Sequence, residues 1–87
     1  MEIRWTKRAI AQLQAISQND QKAIVSKVAA IASPGQTRLD IVKLACRQAR
    51  YRLRVGDYRV IFERRQGVPV ICLIMEVKRR TTTTYLN

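Results

Sequence analysis

The chain has 87 residues, of which 17 are basic and 6 acidic, so its formal net charge is +11. This length allows one domain with a modest core, and we expect a single domain over residues 1–87. Apolar residues make up 47% of the sequence, which excludes the weakly hydrophobic, disordered class. The charge predicts binding to a polyanion such as nucleic acid, an acidic protein or anionic lipid.

The residue types that the chain lacks exclude several kinds of chemistry. There is no histidine, so Cys–His and Ser–His nucleophilic pairs and histidine-based metal sites are excluded. Cys46 and Cys72 show no zinc-ligand spacing, and Cys72 lies in an apolar run, where a free thiol is usually buried. We therefore expect no metal and no cofactor, and chemistry that uses Lys, Arg, Tyr or carboxylates.

The sequence gives no sign of a membrane segment or a signal peptide. Its N-terminus, MEIRWTKR, lacks an apolar core, and its longest apolar stretch, Val70–Met75, is far shorter than the roughly 20 residues that span a bilayer. We expect a cytoplasmic protein that does not bind membranes.

The first part of the chain predicts a short strand followed by a helical hairpin. The strand covers about Glu2–Trp5, and Thr6 can cap a first helix, with a second cap in Ser17–Asp20. Apolar residues recur at helical spacing in both helices: Ala9, Ile10, Leu13 and Ile16 in the first, and Ile24, Val28 and Ile31 in the second. Ser33-Pro34-Gly35 stops the second helix.

The second part predicts a β-meander. The apolar residues of Gln36–Arg50 recur with no sustained period, which indicates a loop. Apolar and polar residues alternate on both sides of the turn Gly56-Asp57, as they do in the strands of a hairpin. The two predicted strands are Tyr51–Val55 and Tyr58–Arg64. A third strand is predicted at roughly Val68–Val77, and its continuous apolar run favours a central strand covered on both faces. The predicted fold class is α+β, with the helical hairpin packed on one face of a small, mainly antiparallel sheet.

The two-residue turn also predicts the hairpin register. Val55 pairs with Tyr58 and Arg54 with Arg59. Side chains alternate across a sheet, so one face carries Tyr51, Leu53, Val55, Tyr58, Val60 and Phe62, and the other carries Arg52, Arg54 and Arg59. Like charges directly opposed across strands destabilise a sheet unless an anion lies between them, so the arginines indicate a phosphate site. The alternative interpretation is a solvated strand face with Glu63 as partial counter-ion.

The C-terminal segment adds basic residues and a tyrosine. Lys78, Arg79 and Arg80 follow the third strand, and Tyr85 follows them. A tyrosine can stack on an RNA base, or exchange a proton if nearby cations lower its pKa from about 10. The alternative is a packing residue.

The segment YRLRVGDYRVIFE, from Tyr51 to Glu63, preceded by a helical hairpin, resembles the RelE/ParE toxin superfamily of type II toxin–antitoxin systems. RelE-type ribonucleases carry basic residues at positions matching Arg52, Arg54 and Arg59. They also carry an arginine matching Arg79 and a tyrosine six residues later, matching Tyr85, a combination that ParE-type members generally lack. The resemblance therefore implies a RelE-like fold and an mRNA endoribonuclease.

The resemblance further implies cleavage of mRNA on the ribosome by attack of a ribose 2′-hydroxyl on the adjacent phosphodiester. Arg59 and Arg79, with Arg54, would stabilise the phosphorane charge. RelE-type enzymes often have lysines where this chain has Arg52 and Arg54, and arginine is a poor proton acceptor. Tyr85 would therefore accept the proton of the 2′-hydroxyl. The residues expected to contact RNA phosphates, with Arg54 in both roles, are Arg52, Arg54, Lys78 and Arg80. Arg79 could also assist the leaving oxygen, and Lys78 or Glu76 could replace it in that role.

The sequence also predicts a protein partner and leaves two alternative functions open. The resemblance implies a cognate antitoxin, with an acidic or extended segment that covers the basic surface. The first alternative function is a ParE-like inhibitor of DNA gyrase on the same fold. The second is a non-enzymatic basic module that binds nucleic acid through phosphates.

Overall fold

Two helices pack on one face of a five-stranded sheet in the computed structural model, which describes residues 1–33, 35 and 38–79. The elements are β1 (Glu2–Trp5), α1 (Lys7–Gln14), α2 (Gln18–Ala32), β2 (Asp40–Lys43), β3 (Arg50–Val55), β4 (Tyr58–Arg65) and β5 (Ile71–Arg79). The strand order is β1-β5-β4-β3-β2. β1 runs parallel to β5, and the other pairs are antiparallel. The predicted α+β class is confirmed. Within the described residues, no helix is both long and apolar enough to cross a membrane.

Side-chain caps define the start of each helix, as predicted. Thr6 Oγ1 accepts a hydrogen bond from the Ala9 amide at 3.1 Å, and Ser17 Oγ accepts one from the Asp20 amide at 3.3 Å. Each hydroxyl satisfies a backbone donor that the first turn of a helix leaves free.

The core lies between the helices and the sheet. It consists of Ala9, Ile24, Val28, Leu53, Val55, Tyr58, Val60, Phe62, Cys72, Ile74 and Val77. Five of the six hairpin residues predicted for one face are among them. The sixth, Tyr51, is half-buried and stacks on Phe62, with ring centroids 5.4 Å apart. The hairpin register is also as predicted, with Gly56 at φ 56°, which suits a tight turn.

β5 departs from the prediction in its bounds and its surroundings. It begins at Ile71, after Pro69, and a bulge lies opposite the Ile61–Phe62 step. Ile61 pairs with Glu76 and Phe62 with Ile74, so Met75 is the extra residue. Cys72, Ile74 and Val77 are buried under the helices, whereas the residues facing the other way are half-buried or, at Lys78, exposed. β5 has a neighbouring strand on each side, as predicted for a central strand, but the prediction that both of its faces are covered is wrong.

β2 lies in a segment that the sequence predicted as a loop, and that prediction is wrong over four residues. Asp40–Lys43 pairs with β3 at the edge of the sheet, and all four of its residues are exposed. A strand exposed on both faces needs no apolar alternation. The weak pattern between residues 36 and 50 reflects that position at the edge.

A hydrogen bond between a phenol and a carboxylate connects the hairpin to α2. Tyr58 is buried, and its hydroxyl donates to Asp20 Oδ2 at 3.0 Å. Burial, followed by this hydrogen bond, raises the pKa of Tyr58. We expect Tyr58→Phe to lower the melting temperature modestly, because the phenyl ring keeps the packing and loses only the bond. Thermal unfolding monitored by circular dichroism would test this. Tyr51→Phe is the control, and an equal effect of both variants would contradict it.

The buried thiol gives the stability a dependence on alkaline pH. Burial raises the pKa of Cys72 to about 11, from an ordinary value of 9.0. The folded state therefore favours the neutral thiol. The stabilisation that the buried thiol gives the fold is fully present below pH 9 and is lost as the pH rises through 11. We expect the stability difference between the wild type and Cys72→Ala to narrow over that range. Urea unfolding at a series of pH values would measure it, and a constant difference would contradict it.

Candidate functional site

Three cations lie side by side across adjacent strands on the face of the sheet that the helices leave open. Arg54 of β3 is directly opposite Arg59 of β4, and Arg59 is directly opposite Lys78 of β5. Adjacent strands are about 4.8 Å apart, so these side chains are immediate neighbours. We call Arg54, Arg59 and Lys78 the cationic row. Asp40 of β2 is opposite Arg54 and ends the row on one side.

The three arginines predicted to share the open face of the hairpin are not neutralised by carboxylates among the described residues. Arg52, Arg54 and Arg59 line a recess of about 110 Å³ together with Asp40. None of the three arginines forms an ion pair with a carboxylate in the described part of the chain. The recess therefore combines three positive charges with one negative charge, and an anion would relieve the repulsion between the guanidinium groups.

Glu63 is not the counter-ion of these arginines, contrary to the alternative interpretation above. Its carboxylate accepts hydrogen bonds from Arg65 at 3.0 Å and from Arg50 at 3.3 Å. The bond from Arg65 is the largest influence on the pKa of Glu63 and lowers it, and the bond from Arg50 acts in the same direction against burial. Glu63 is thus occupied by two other arginines.

Glu76 connects the cationic row to helix α1. One of its oxygens lies 2.8 Å from the Arg8 guanidinium, and the other lies 3.5 Å from Lys78 Nζ. The Glu76 side chain is only 21% exposed, whereas those of Arg8 and Lys78 are 66% and 55% exposed. The Glu76 carboxylate is therefore the most enclosed of these three charged groups and lies at one end of the row.

Arg79 does not join the other predicted site residues. It is directly opposite Tyr58, a core residue, and lines a separate recess with Asp20 and Asp57 on the helix side of the sheet. Strand alternation thus places Arg79 and Lys78 on opposite faces. The expectation that Arg79 converges with Arg54 and Arg59 is wrong. Arg80 and Tyr85 lie outside the described residues.

Two charged groups near the cationic row were not indicated by the sequence. Asp40 lies in the segment predicted as a loop, and Arg8 lies in α1. Asp40 reaches this face because β2 pairs with β3. Arg8 reaches it because α1 packs along β5 beyond the end of β1. Strand pairing and helix packing, rather than a local pattern in the sequence, bring both groups to the row.

Comparisons with solved structures identify the fold. The chain superposes on the archaeal RelE–RelB complex from Pyrococcus horikoshii with a TM-score of 0.76 and 21% identity, covering 93% of this chain and 96% of that one. For the RelB–RelE antitoxin–toxin complex from Methanococcus jannaschii, the TM-score is 0.69, the identity 24% and the coverage 97% and 99%. For the RelBE2 toxin–antitoxin complex from Mycobacterium tuberculosis, the values are 0.69, 20%, and 91% and 96%. The fold is therefore the RelE-like fold of toxin–antitoxin complexes.

The family follows from the sequence. Residues 3–82 match the family described as ParE toxin of type II toxin–antitoxin system, parDE. The chain belongs to this family, and so to the RelE/ParE superfamily. None of the curated protein sequences matches it significantly. The chain is a type II toxin with the RelE/ParE fold.

Proposed function

We propose that this toxin is an endoribonuclease that cleaves messenger RNA on the ribosome without a metal ion. The observation that carries the proposal is the cationic row, in which neither arginine is paired to a carboxylate within the described residues. Opposed guanidinium groups destabilise a bare sheet and bind phosphate bidentately. Three cations at strand spacing suit the oxygens of a phosphodiester in the transition state better than a diffuse basic surface does.

The chemistry proposed for the row is transesterification. The ribose 2′-hydroxyl attacks the adjacent phosphorus, the bond to the 5′-oxygen of the next nucleotide breaks, and a 2′,3′-cyclic phosphate and a 5′-hydroxyl form. Arg54 and Arg59 stabilise the additional negative charge of the phosphorane. Tyr85 accepts the 2′-hydroxyl proton, and Lys78 donates a proton to the leaving oxygen, since Arg79 is on the other face.

Arg52, Arg79 and Arg80 have supporting roles in this proposal. Arg52 shares the recess with Arg54 and Arg59 and binds a neighbouring phosphate. Arg80 binds the strand beyond the scissile bond. Arg79 retains the catalytic role proposed from the resemblance only if the RNA extends around the end of β5 to the helix side. An Arg79→Ala variant that keeps full cleavage would exclude it from catalysis.

The proposed partner is an acidic antitoxin. The structures that resemble this chain are complexes with RelB antitoxins. A net charge of +11 also favours a partner of opposite charge. An antitoxin that covers the cationic row would block RNA and remove the repulsion among the three cations, and mRNA cleavage after release would take place in the cytoplasm.

A second candidate function is inhibition of DNA gyrase. The position of Arg79 on the helix side favours it, because a RelE-type site is expected to combine that arginine with the hairpin arginines. The family description, which names the ParE toxin, also supports it.

Induced expression with early sampling separates the two functions. If the chain is a ribonuclease, mapped mRNA 5′ ends should show new breaks within translated codons before any DNA damage. If it inhibits gyrase, DNA breaks should come first, and the purified chain should block supercoiling by gyrase in vitro. Intact mRNA after growth arrest would overturn the proposed function.

A further inference from the structure

A second recess lies on the open face, next to the cationic row. It has a volume of about 280 Å³, just below the range of roughly 300–1,000 Å³ usual for small-molecule sites. Its lining consists of Thr6, Arg8, Arg50, Ile61, Met75 and Glu76. We call it the base recess. Its size suits one planar ring system better than a larger ligand.

The base recess is one pleat away from the cationic row. Ile61 follows Arg59 by two residues on β4, and Glu76 precedes Lys78 by two on β5. Two residues of a strand span about 6.7 Å, a distance that one nucleotide can bridge between its phosphate and its base. Ile61 and Glu76 are directly opposite each other, as Arg59 and Lys78 are. The floor of the base recess and the cationic row are therefore two successive cross-strand pairs on the same face.

The lining has the two properties that base recognition requires. Ile61 and Met75 are half-buried and give an apolar floor, while Arg8 and Arg50 provide guanidinium planes on which a base can stack. Glu76 Oε1 and Arg8 Nη2 lie 2.8 Å apart, so a hydrogen-bond acceptor and a donor are side by side at the wall of the recess. Because Glu76 is 21% exposed, its carboxylate has little freedom to turn away.

This acceptor–donor pair matches one base better than the others. Guanine presents the O6 acceptor beside the N1–H and N2–H₂ donors on its Watson–Crick edge. Adenine and cytosine present one amino group beside an unprotonated ring nitrogen, which a carboxylate repels. Uracil offers a single N–H between two carbonyls. A carboxylate that accepts two hydrogen bonds therefore selects guanine.

We propose that the base recess binds a guanine of the RNA whose phosphate lies on the cationic row. Glu76 accepts hydrogen bonds from guanine N1–H and N2–H₂, and Arg8 donates one to O6. This assignment rests on the proposed function, since it takes the row as the phosphate site. It adds a sequence preference that phosphate contacts alone cannot give.

Binding of oligonucleotides that cannot be cleaved tests the base recess separately from catalysis. The probes are 2′-O-methyl oligoadenylates with one central guanosine or, at the same position, inosine, which lacks only the N2 amino group. Fluorescence anisotropy with the full chain at about 150 mM salt limits nonspecific binding. We expect the guanosine probe to bind about tenfold more tightly, the effect of one hydrogen bond to a charged group.

Variants with matched charge changes make the test specific. Glu76→Gln should reduce the guanosine-to-inosine ratio to near one without weakening overall binding. Glu2→Gln, which alters an exposed carboxylate that pairs with Arg4 and lies outside the recess, should keep the ratio of the wild type. Arg8→Ala changes a side chain that is 66% exposed, so it should fold normally and should weaken binding of the guanosine probe.

The outcomes separate this inference from the proposed function. Equal binding of both probes by the wild type, or an unchanged ratio in Glu76→Gln, would overturn the base recess even if mRNA is cleaved. Guanosine selectivity in a chain that leaves mRNA intact would overturn the ribonuclease proposal and support the base recess. Failure to bind any probe would overturn the base recess, whereas the mapped mRNA 5′ ends decide the ribonuclease proposal.

Discussion

Replacing Arg59 with alanine should reduce the rate of RNA cleavage by about 10²–10³-fold, the usual effect of removing one group that stabilises charge in the transition state. Arg59 occupies the middle of the cationic row, directly opposite both Arg54 and Lys78. Because of this central position, we propose that Arg59 contacts the equatorial oxygens of the phosphorane. Initial rates on ribosome-bound mRNA, measured over a range of substrate concentrations, would test the effect.

The kinetic pattern distinguishes transition-state stabilisation from ordinary RNA binding. If Arg59 acts in the transition state, kcat falls, whereas a residue that only binds the phosphate raises KM and leaves kcat unchanged. Arg47→Ala is the matched control, because Arg47 is exposed in the loop between β2 and β3 and its loss also lowers the net charge by one. Normal kcat in Arg59→Ala would remove the row from the mechanism.

Stability gives a second signature of the same site. The pairing of Arg54 with Arg59 places like charges directly opposite each other, an arrangement that destabilises a sheet. Arg59→Ala should therefore melt at a slightly higher temperature than the wild type while losing activity. A lower melting temperature would mean that the arginine supports the fold, and any loss of activity would then need a different explanation.

The hairpin could be predicted from the sequence because local rules determine it. Gly56 and Asp57 indicate a two-residue turn, the turn sets the register, and alternation then assigns each side chain to a face. Every pair predicted between β3 and β4 is present. The helix caps at Thr6 and Ser17 depend on equally local patterns.

The remainder of the site depends on contacts between distant parts of the chain. A single bulge at Met75 changes the alternation of β5, and it leaves Lys78 rather than Arg79 on the side of the arginines. No local pattern in the sequence marks that extra residue, so the sequence alone does not show that Arg79 lies on the helix side. Asp40 and Arg8 reach this face from β2 and α1, through pairing and packing that no spacing in the sequence reveals.

Leu53→Ala should be the most destabilising single change considered. Leu53 is fully buried at the centre of β3, between the two arginines that point the other way. Truncating such a leucine costs about 2–5 kcal/mol. A chain of this size has a total stability of only about 4–13 kcal/mol, and the melting temperature should fall by roughly 10–30 °C. Thermal and urea unfolding would measure the loss.

Ile41→Ala is the control, since Ile41 lies directly opposite Leu53 on β2 but is 38% exposed. It should change stability by about 0.5 kcal/mol or less. The Leu53 variant should keep near-normal cleavage at low temperature, where it is folded, because Arg52 and Arg54 still point to the open face. It should lose activity only as it unfolds, whereas Arg59→Ala should lose most of its activity while it remains folded. A Leu53→Ala chain that is fully folded and yet inactive would show that packing beneath the sheet sets the positions of the arginines more finely than the strand alone.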